Sequence, residues 1–178
     1  MSDRRVRFPL SMGRSVAIDI RDVLDGSCHR IEIAGSIRRG KPEVGDIELL
    51  CVPKYAPDLF GDAGESLLDS LITDEIAGGF LESRGAVGPK NKLLRHVRTG
   101  IPLDVFSTTE ENWGMAMFVR TGPAEWNIRA MQRFRDLGMR GHAYGGVTLA
   151  DGTEATCLTE RVVFDLLKWP YELPGARA

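Results

Sequence analysis

The sequence predicts an α+β fold: a mixed sheet with flanking helices, followed by a smaller part made of helices and short strands. Three observations predict it. Strand-like runs recur at residues 30–34, 46–52 and 101–107. Segments with helical apolar spacing lie before and between them. After about residue 108 the pattern changes to helices and short, glycine-rich strands.

In chain order, residues 10–24 read as a helix. Val16, Ile20 and Val23 with Leu24 fall on one face, Asp19 and Asp22 fall off it, and Gly26 ends it. Residues 30–34, Arg-Ile-Glu-Ile-Ala, alternate as a strand does. Residues 35–40 turn into a short helical stretch, and Pro42 and Gly45 bracket a second turn. Residues 46–52 are apolar enough for a central strand. Loop is expected over 53–64, then an amphipathic helix over 65–76 that buries Leu67, Leu68, Leu71 and Ile72 and stops at Gly78-Gly79. Residues 92–97 and 101–107 form a hairpin around Arg98-Thr99-Gly100. A first subdomain is thus expected over residues 1–108 and a second over 109–178. The second begins with helices over 110–120 and 124–137, broken at Thr121-Gly122-Pro123 and capped by Gly138. Short strands follow over 139–149. A last helix starts at Thr159, where Thr159-Glu160-Arg161-Val162 is a weak capping signal.

The chain has 178 residues, 43% hydrophobic and 27% charged, which suits one core or two small subdomains sharing an interface. It has no apolar run long enough for a membrane span and no apolar leader after Met1, so a cytoplasmic protein without a membrane partner is expected. Cys28, Cys51 and Cys157 are odd in number and far apart, and read as reduced thiols. His29, His96 and His142 are scattered, which argues against zinc. The net charge of −2 implies that any grip on nucleic acid is local.

Chemistry concentrates in three carboxylates. Asp46 and Glu48 stand one residue apart on an expected strand, so both project from one face while Ile47 and Leu49 enter the core. Adjacent like charges repel unless a cation sits between them. Asp104 lies mid-strand in an otherwise apolar run, where an unsatisfied carboxylate is costly. Three hard oxygen ligands suit Mg²⁺ or Mn²⁺. Upstream, Gly35-Ser36 leaves a strand and opens a helical turn, offering backbone amides and a hydroxyl to phosphate, with Arg39 placed as a cationic clamp. A phosphate site followed by a metal site suits phosphoryl or nucleotidyl transfer with two metals.

Gly35-Ser36-Ile37-Arg38-Arg39-Gly40, followed by Gly45-Asp46-Ile47-Glu48, resembles the G-S-x-R-R-G … G-D-x-D signature of the DNA polymerase beta superfamily, family X. The spacing from the serine to the first carboxylate is the family's, and Asp104 stands where the third catalytic aspartate does. Phe118 to Gly122 resembles the family's Y-F-T-G turn, Trp126-Asn127 its F-N pair, and residues 159–174 its closing segment. The resemblance covers residues 30–52 and 100–178. It implies a polymerase beta-like nucleotidyltransferase fold, palm plus C-terminal subdomain, because Gly35 comes too early for the family's N-terminal helix-hairpin-helix and lyase domains.

The resemblance further implies roles. Asp46 and Glu48 bridge two Mg²⁺ ions, with Mn²⁺ as a substitute, and Asp104 binds the catalytic one and helps activate a primer 3′-hydroxyl. Ser36 and Arg39 hold the β- and γ-phosphates of an NTP or dNTP, and Gly35 belongs to the same cradle. Gly45 allows close approach of the triphosphate. Thr121, Gly122, Trp126 and Asn127 form the nucleotide-binding part, with Asn127 at the base edge. The partner would be primer–template or gapped DNA, and the role repair-type gap filling. Departures point elsewhere: Glu48 replaces the polymerases' aspartate, Val119 and Arg120 replace aromatics against sugar and primer, and Ile128 and Met131 replace template contacts. Transfer to an RNA end, a protein or a small molecule, or a silent nucleotide-binding module, are the alternatives.

Plainer readings stand beside these. Asp104 could pair with Arg98 or Lys92. Lys90, Lys92, Arg95 and Arg98 could touch primer phosphates or form a solvated hairpin. Trp126, Arg129 and Arg133 could face a nucleic acid, or Trp126 could be core. Arg38 could serve the fold by pairing with a carboxylate.

Overall fold

A computed structural model of the chain describes residues 6–57 and 63–177. Strand β1 (Phe8–Pro9) pairs antiparallel with β3 (Glu43–Val44). Between them, helix α1 (Leu10–Leu24) buries Val16, Ala17, Ile20 and Leu24, the stripe its periodicity describes, while Val23 faces outward. The main sheet has five strands in the spatial order β2 (Cys28–Ile33), β4 (Ile47–Pro53), β9 (Pro102–Ser107), β8 (Asn91–His96) and β7 (Leu81–Val87). Strands β4 and β9 are parallel and the other neighbours antiparallel, so the sheet is mixed, as expected.

Two segments differ from the sequence reading. Loop was expected over 53–64, but β5 (Tyr55–Pro57) pairs with β6 (Ala63–Ser66); the intervening positions 58–62 lie outside the described residues. Helix α3 (Leu67–Ala77) therefore starts after Ser66, whose hydroxyl accepts from the Asp69 amide as an N-cap. Its first residue, Leu67, is exposed, and Leu68 and Ile72 carry the burial. Strand β7 carries no sequence signal, because beyond Leu81 all its residues face solvent and none needs an apolar side chain.

Strand alternation sorts the core. Ile47, Leu49 and Cys51 of β4, with Leu103 and Val105 of β9, pack with buried residues of α1 and α3. Leu50, Val52 and Phe106 project to the other side, under Trp113, Ala116 and Met117. Those three belong to α4 (Trp113–Thr121), which begins three residues later than its apolar spacing suggests. It leads through the 121–123 break into α5 (Ala124–Asp136), then into an antiparallel sheet of β10 (Arg140–Gly141), β11 (Val147–Thr148) and β12 (Glu154–Ala155), and finally α6 (Glu160–Leu167). Helices α4, α5 and α6 meet in an aromatic cluster. Phe118 and Phe164 lie edge-on at 5.2 Å, and Trp126 and Trp169 at 5.4 Å. Among the described residues no helix is long and apolar enough to cross a membrane. All three cysteines are buried and free.

The short helix α2 (Gly35–Arg38) is tied to this C-terminal part by charge. Arg38 donates to the Thr121 hydroxyl and to Glu160, both at 2.6 Å. Arg39 donates to the Thr121 carbonyl. The other oxygen of Glu160 receives Arg177 at 2.5 Å, and Arg177 is fully buried. Arg177 also donates twice to the Glu172 carbonyl. Glu160 does not close a capping box: Thr159 makes no side-chain cap, and the carboxylate turns inward to two guanidiniums instead. Burial pushes the Glu160 carboxyl up, but Arg38 and Arg177 together outweigh it and hold it below its ordinary value.

A carboxyl with a lowered folded value stabilises above its unfolded value and loses that contribution as pH falls. Glu160→Gln is therefore expected to cost about 3 kcal/mol at pH 7, the low end for breaking a buried pair. The deficit should shrink as pH falls below about 4.5, the ordinary glutamate value. Urea melts of both proteins between pH 3 and pH 8 check this; parallel curves at all pH values would refute the pairing.

Candidate active site

The three carboxylates approach one another through strand register. Glu48 and Asp104 are direct partners across the parallel β4–β9 pair, so their side chains leave the same face. Asp46 stands one residue before β4, at the mouth of the turn that follows β3. Two clefts meet there. The smaller, about 370 Å³, is lined by Arg7, Ser36, Arg39, Gly45, Asp46, Glu48, Val119, Arg120, Gly122, Ala124 and Asn127. The larger, about 850 Å³, is lined by Arg84, Arg95, Gly100, Asp104 and others, and shares Gly45 and Asp46 with the first. Asp46 thus stands on the wall between a cleft holding Glu48 and a cleft holding Asp104.

Electrostatic crowding follows. Burial, then the charge of Asp46, pushes the Glu48 carboxyl up to about 7, against the pull of Arg120 and Arg39. Burial also raises Asp104, although Arg84 pulls the other way. Glu48 owes its place to Gly35. That residue has φ +61°, and a Cβ there would collide with Glu48 Oε2, so the carboxylate lies against the bare backbone.

Of the residues expected at the substrate, Ser36, Arg39, Gly45, Gly122 and Asn127 line the smaller cleft. Ser36 Oγ and Arg39 Nε are buried polar atoms without a partner within the protein. Such atoms are costly unless a ligand or water satisfies them. Asn127 donates to the carbonyls of Val119 at 2.8 Å and Gly122 at 3.2 Å, and its own Oδ1 has no partner. Gly122 is bare because a Cβ would strike Trp126 and Asn127.

Three residues of the expected set stand away from the clefts. Gly35 lies behind Glu48 and lines neither cleft. Thr121 is buried and spends its hydroxyl and carbonyl on Arg38 and Arg39. Trp126 is 3% exposed and belongs to the aromatic cluster, since an indole at that point of α5 faces Phe118 and Phe164.

The metal site also differs from its expected form. The donors fit a hard divalent cation in kind: three carboxylates on or beside two adjacent strands, with Glu48 raised by burial and then by the charge of Asp46. They are not yet gathered into a ligand set: among the described residues no three acid, histidine or cysteine side chains form one. Asp104 instead pairs with Arg84 from β7, which also donates to the Leu94 carbonyl. The partner is neither Arg98 nor Lys92. Lys92 is buried, pairs with Asp69 at 2.8 Å and reaches Ser107 Oγ, so it fastens the hairpin from within. Arg95 pairs with Glu82. Arg133 donates to the Leu167 carbonyl.

Arg7 and Arg84 carried no motif, and Arg120 stood in one only as a departure from its aromatics. Arg7 arrives because the Phe8↔Val44 register sets the N-terminal segment beside Gly45. Arg84 comes from the strand with no sequence signal. Arg120 lies 3.6 Å above the Phe106 ring and 4.6 Å from that of Tyr144, held between two rings that are far apart in sequence.

Comparison with known proteins agrees with this architecture. No protein-family model matches the chain. DNA polymerase lambda of Rattus norvegicus is 30% identical over 165 residues, an alignment covering 80% of this chain and 28% of that protein. The chain thus spans little more than a quarter of the curated relative's length. The ternary P/T complex of Leishmania infantum polymerase beta superposes with a TM-score of 0.78 at 20% identity, covering 97% of this chain and 77% of that one. Glu48 opposite Asp104 on a mixed five-stranded sheet, the sequence signature upstream of it and these two likenesses agree, and the chain has the family X, polymerase beta-like fold.

Proposed function

We propose that the chain carries out polymerase-like nucleotidyl transfer, joining a nucleoside monophosphate from an NTP or dNTP to a DNA 3′-hydroxyl, with one-nucleotide gaps as a substrate. The observation that carries this reading is the register pairing of Glu48 with Asp104, with Asp46 on the wall between two clefts. In this reading the smaller cleft takes the nucleotide and the larger takes the acceptor strand. Residues 1–108 act as the palm-like catalytic part and 109–178 as the part that holds nucleotide and primer.

Ser36 Oγ and Arg39 Nε are then satisfied by phosphate oxygens. Asn127, held by two backbone carbonyls, presents its free Oδ1 to the nucleotide. The acceptor hydroxyl attacks the α-phosphorus, a new O–P bond forms, and the bond to the departing pyrophosphate breaks. Asp104, once released from Arg84, is the carboxylate of the larger cleft placed to help activate the acceptor hydroxyl. Divalent cations held by Asp46, Glu48 and Asp104 would supply charge stabilisation at the transferring phosphoryl group. A second reading, transfer to an acceptor other than DNA, is favoured by one observation: Ile128, at a place expected to touch template, is apolar and 66% exposed.

Labelled primer offered as single strand, recessed duplex and one-nucleotide gap, with each dNTP and rNTP in Mg²⁺ or Mn²⁺, separates these readings. Template-matched extension is expected, and Asp46→Asn or Asp104→Ala should lower it by about 10³-fold or more. No extension on any DNA, despite cation-dependent triphosphate binding, would move the proposal to another acceptor.

The raised Glu48 carboxyl supplies a second check. Between its ordinary 4.5 and about 7 the folded protein holds a proton that the unfolded chain has lost, so stability falls as pH rises through this window. Without divalent cation, Glu48→Gln should be the more stable protein at pH 8, by up to about 3 kcal/mol, and should match wild type near pH 4. Saturating Mg²⁺ should raise the wild-type melting temperature and leave the variant's nearly unchanged.

A further inference from the structure

A second cavity, of about 350 Å³, is lined by none of the residues that line the two clefts. Its walls come from the sheet-edge strand β2, helix α4, the start of α6 and Tyr171. Three arginines line it. Arg38 is committed to Thr121 and Glu160, but the other two are not consumed by the fold. Arg30 lies 4.0 Å above the Trp113 ring, and its nearest carboxylate, Glu110, is 3.9 Å away with both side chains well exposed, a pairing worth little. Arg161 lies 4.8 Å from the Tyr171 ring and, among the described residues, forms no ion pair.

A guanidinium resting against a ring gives up rotational freedom but keeps its N–H edge for a ligand. Two of them on the walls of one cavity make a preorganised pair of forks, the geometry that matches a phosphate group. Two carboxylates line the same cavity: Glu160 is spent on Arg38 and Arg177, and Glu32 opposes an anion there.

We propose that this cavity is a second phosphate-binding site, in which Arg30 and Arg161 clamp one phosphate group between β2 and the start of α6, with Glu32 limiting its affinity. The phosphate is that of a nucleic-acid strand or of free pyrophosphate; the chemistry recognised is the same. The site is independent of the carboxylate cleft and of the function proposed for it.

The test is titration of ¹⁵N-labelled protein in EDTA, with pyrophosphate in one arm and a short single-stranded oligonucleotide in the other. The Trp113 indole N–H and the backbone amides of Thr159 and Arg161 report on the cavity; the amides of Ser36, Gly122 and Asn127 report on the cleft. Saturable shifts at the cavity are expected. Arg161→Gln, a surface change, should weaken them about tenfold, as loss of one charge-assisted contact does. Glu32→Gln should strengthen them several-fold, a gain that a damaged fold would not give. Ser36→Ala should leave them unchanged. Shifts with pyrophosphate identify a free anion as ligand, and shifts with the oligonucleotide alone identify a strand. Shifts confined to the cleft in both arms, or cavity shifts indifferent to both Arg161→Gln and Glu32→Gln, would overturn the proposal.

Discussion

The structure depends on seating Glu48 and Asp104 side by side on two adjacent inner strands of a buried sheet, with Asp46 one residue before the first of them. That is an unfavourable arrangement, and its cost appears in the raised Glu48 carboxyl. Much else nearby reads as accommodation. Gly35 gives up its side chain so that Glu48 has room. Arg39 and Arg120 supply opposing charge, and Arg84 pairs with Asp104 directly. A fold selected for stability alone would fill β4 and β9 with apolar residues, as it does at Ile47, Leu49, Leu103 and Val105. The departures fall where a cation and phosphates would be received, which is where strain between stability and function is expected.

The second organising feature is the Arg38–Glu160–Arg177 group. It joins α2, the helix of the sequence signature, to α6 and to the C-terminal segment through one buried carboxylate. Arg38 and Arg39 are adjacent yet serve different ends. Arg38 is spent on the fold, whereas Arg39 gives one nitrogen to Thr121 and leaves Nε toward the cleft. The side of α2 that lines the smaller cleft is therefore positioned by the contacts of Arg38, and a change at Glu160 would be felt at Ser36 without touching it.

Much of this was legible in the sequence, for identifiable reasons. Helix α1 and strands β4 and β9 carry strong apolar periodicity, because they are buried on one or both faces. Asp46, Glu48 and Asp104 were legible because a carboxylate inside an apolar run is conspicuous. Strand β7 was not, since an exposed edge strand needs no apolar pattern, and Arg84 was lost with it. Arg7 and Arg120 owe their places to strand pairing and to rings distant in sequence, which no local pattern encodes. Trp126 beside Asn127 matches a motif yet suits a core position equally well in sequence, and only the fold shows its indole filling the cluster of Phe118, Phe164 and Trp169. Glu160 carried no signal of its own in the sequence, and only the fold reveals the two arginines that claim it.

The contact between Gly35 and Glu48 has a consequence for heredity. Every substitution at position 35 adds at least a Cβ, and that atom falls where the Glu48 carboxylate lies. The two positions are thirteen residues apart in the chain, yet a side chain at one and the carboxylate of the other would need the same space. A lineage that kept the acid would be barred from leaving glycine, and one that no longer needed the acid would be released at both places together. In any set of descendants, a side chain appearing at position 35 would thus mark a displaced Glu48 carboxylate before position 48 itself had changed.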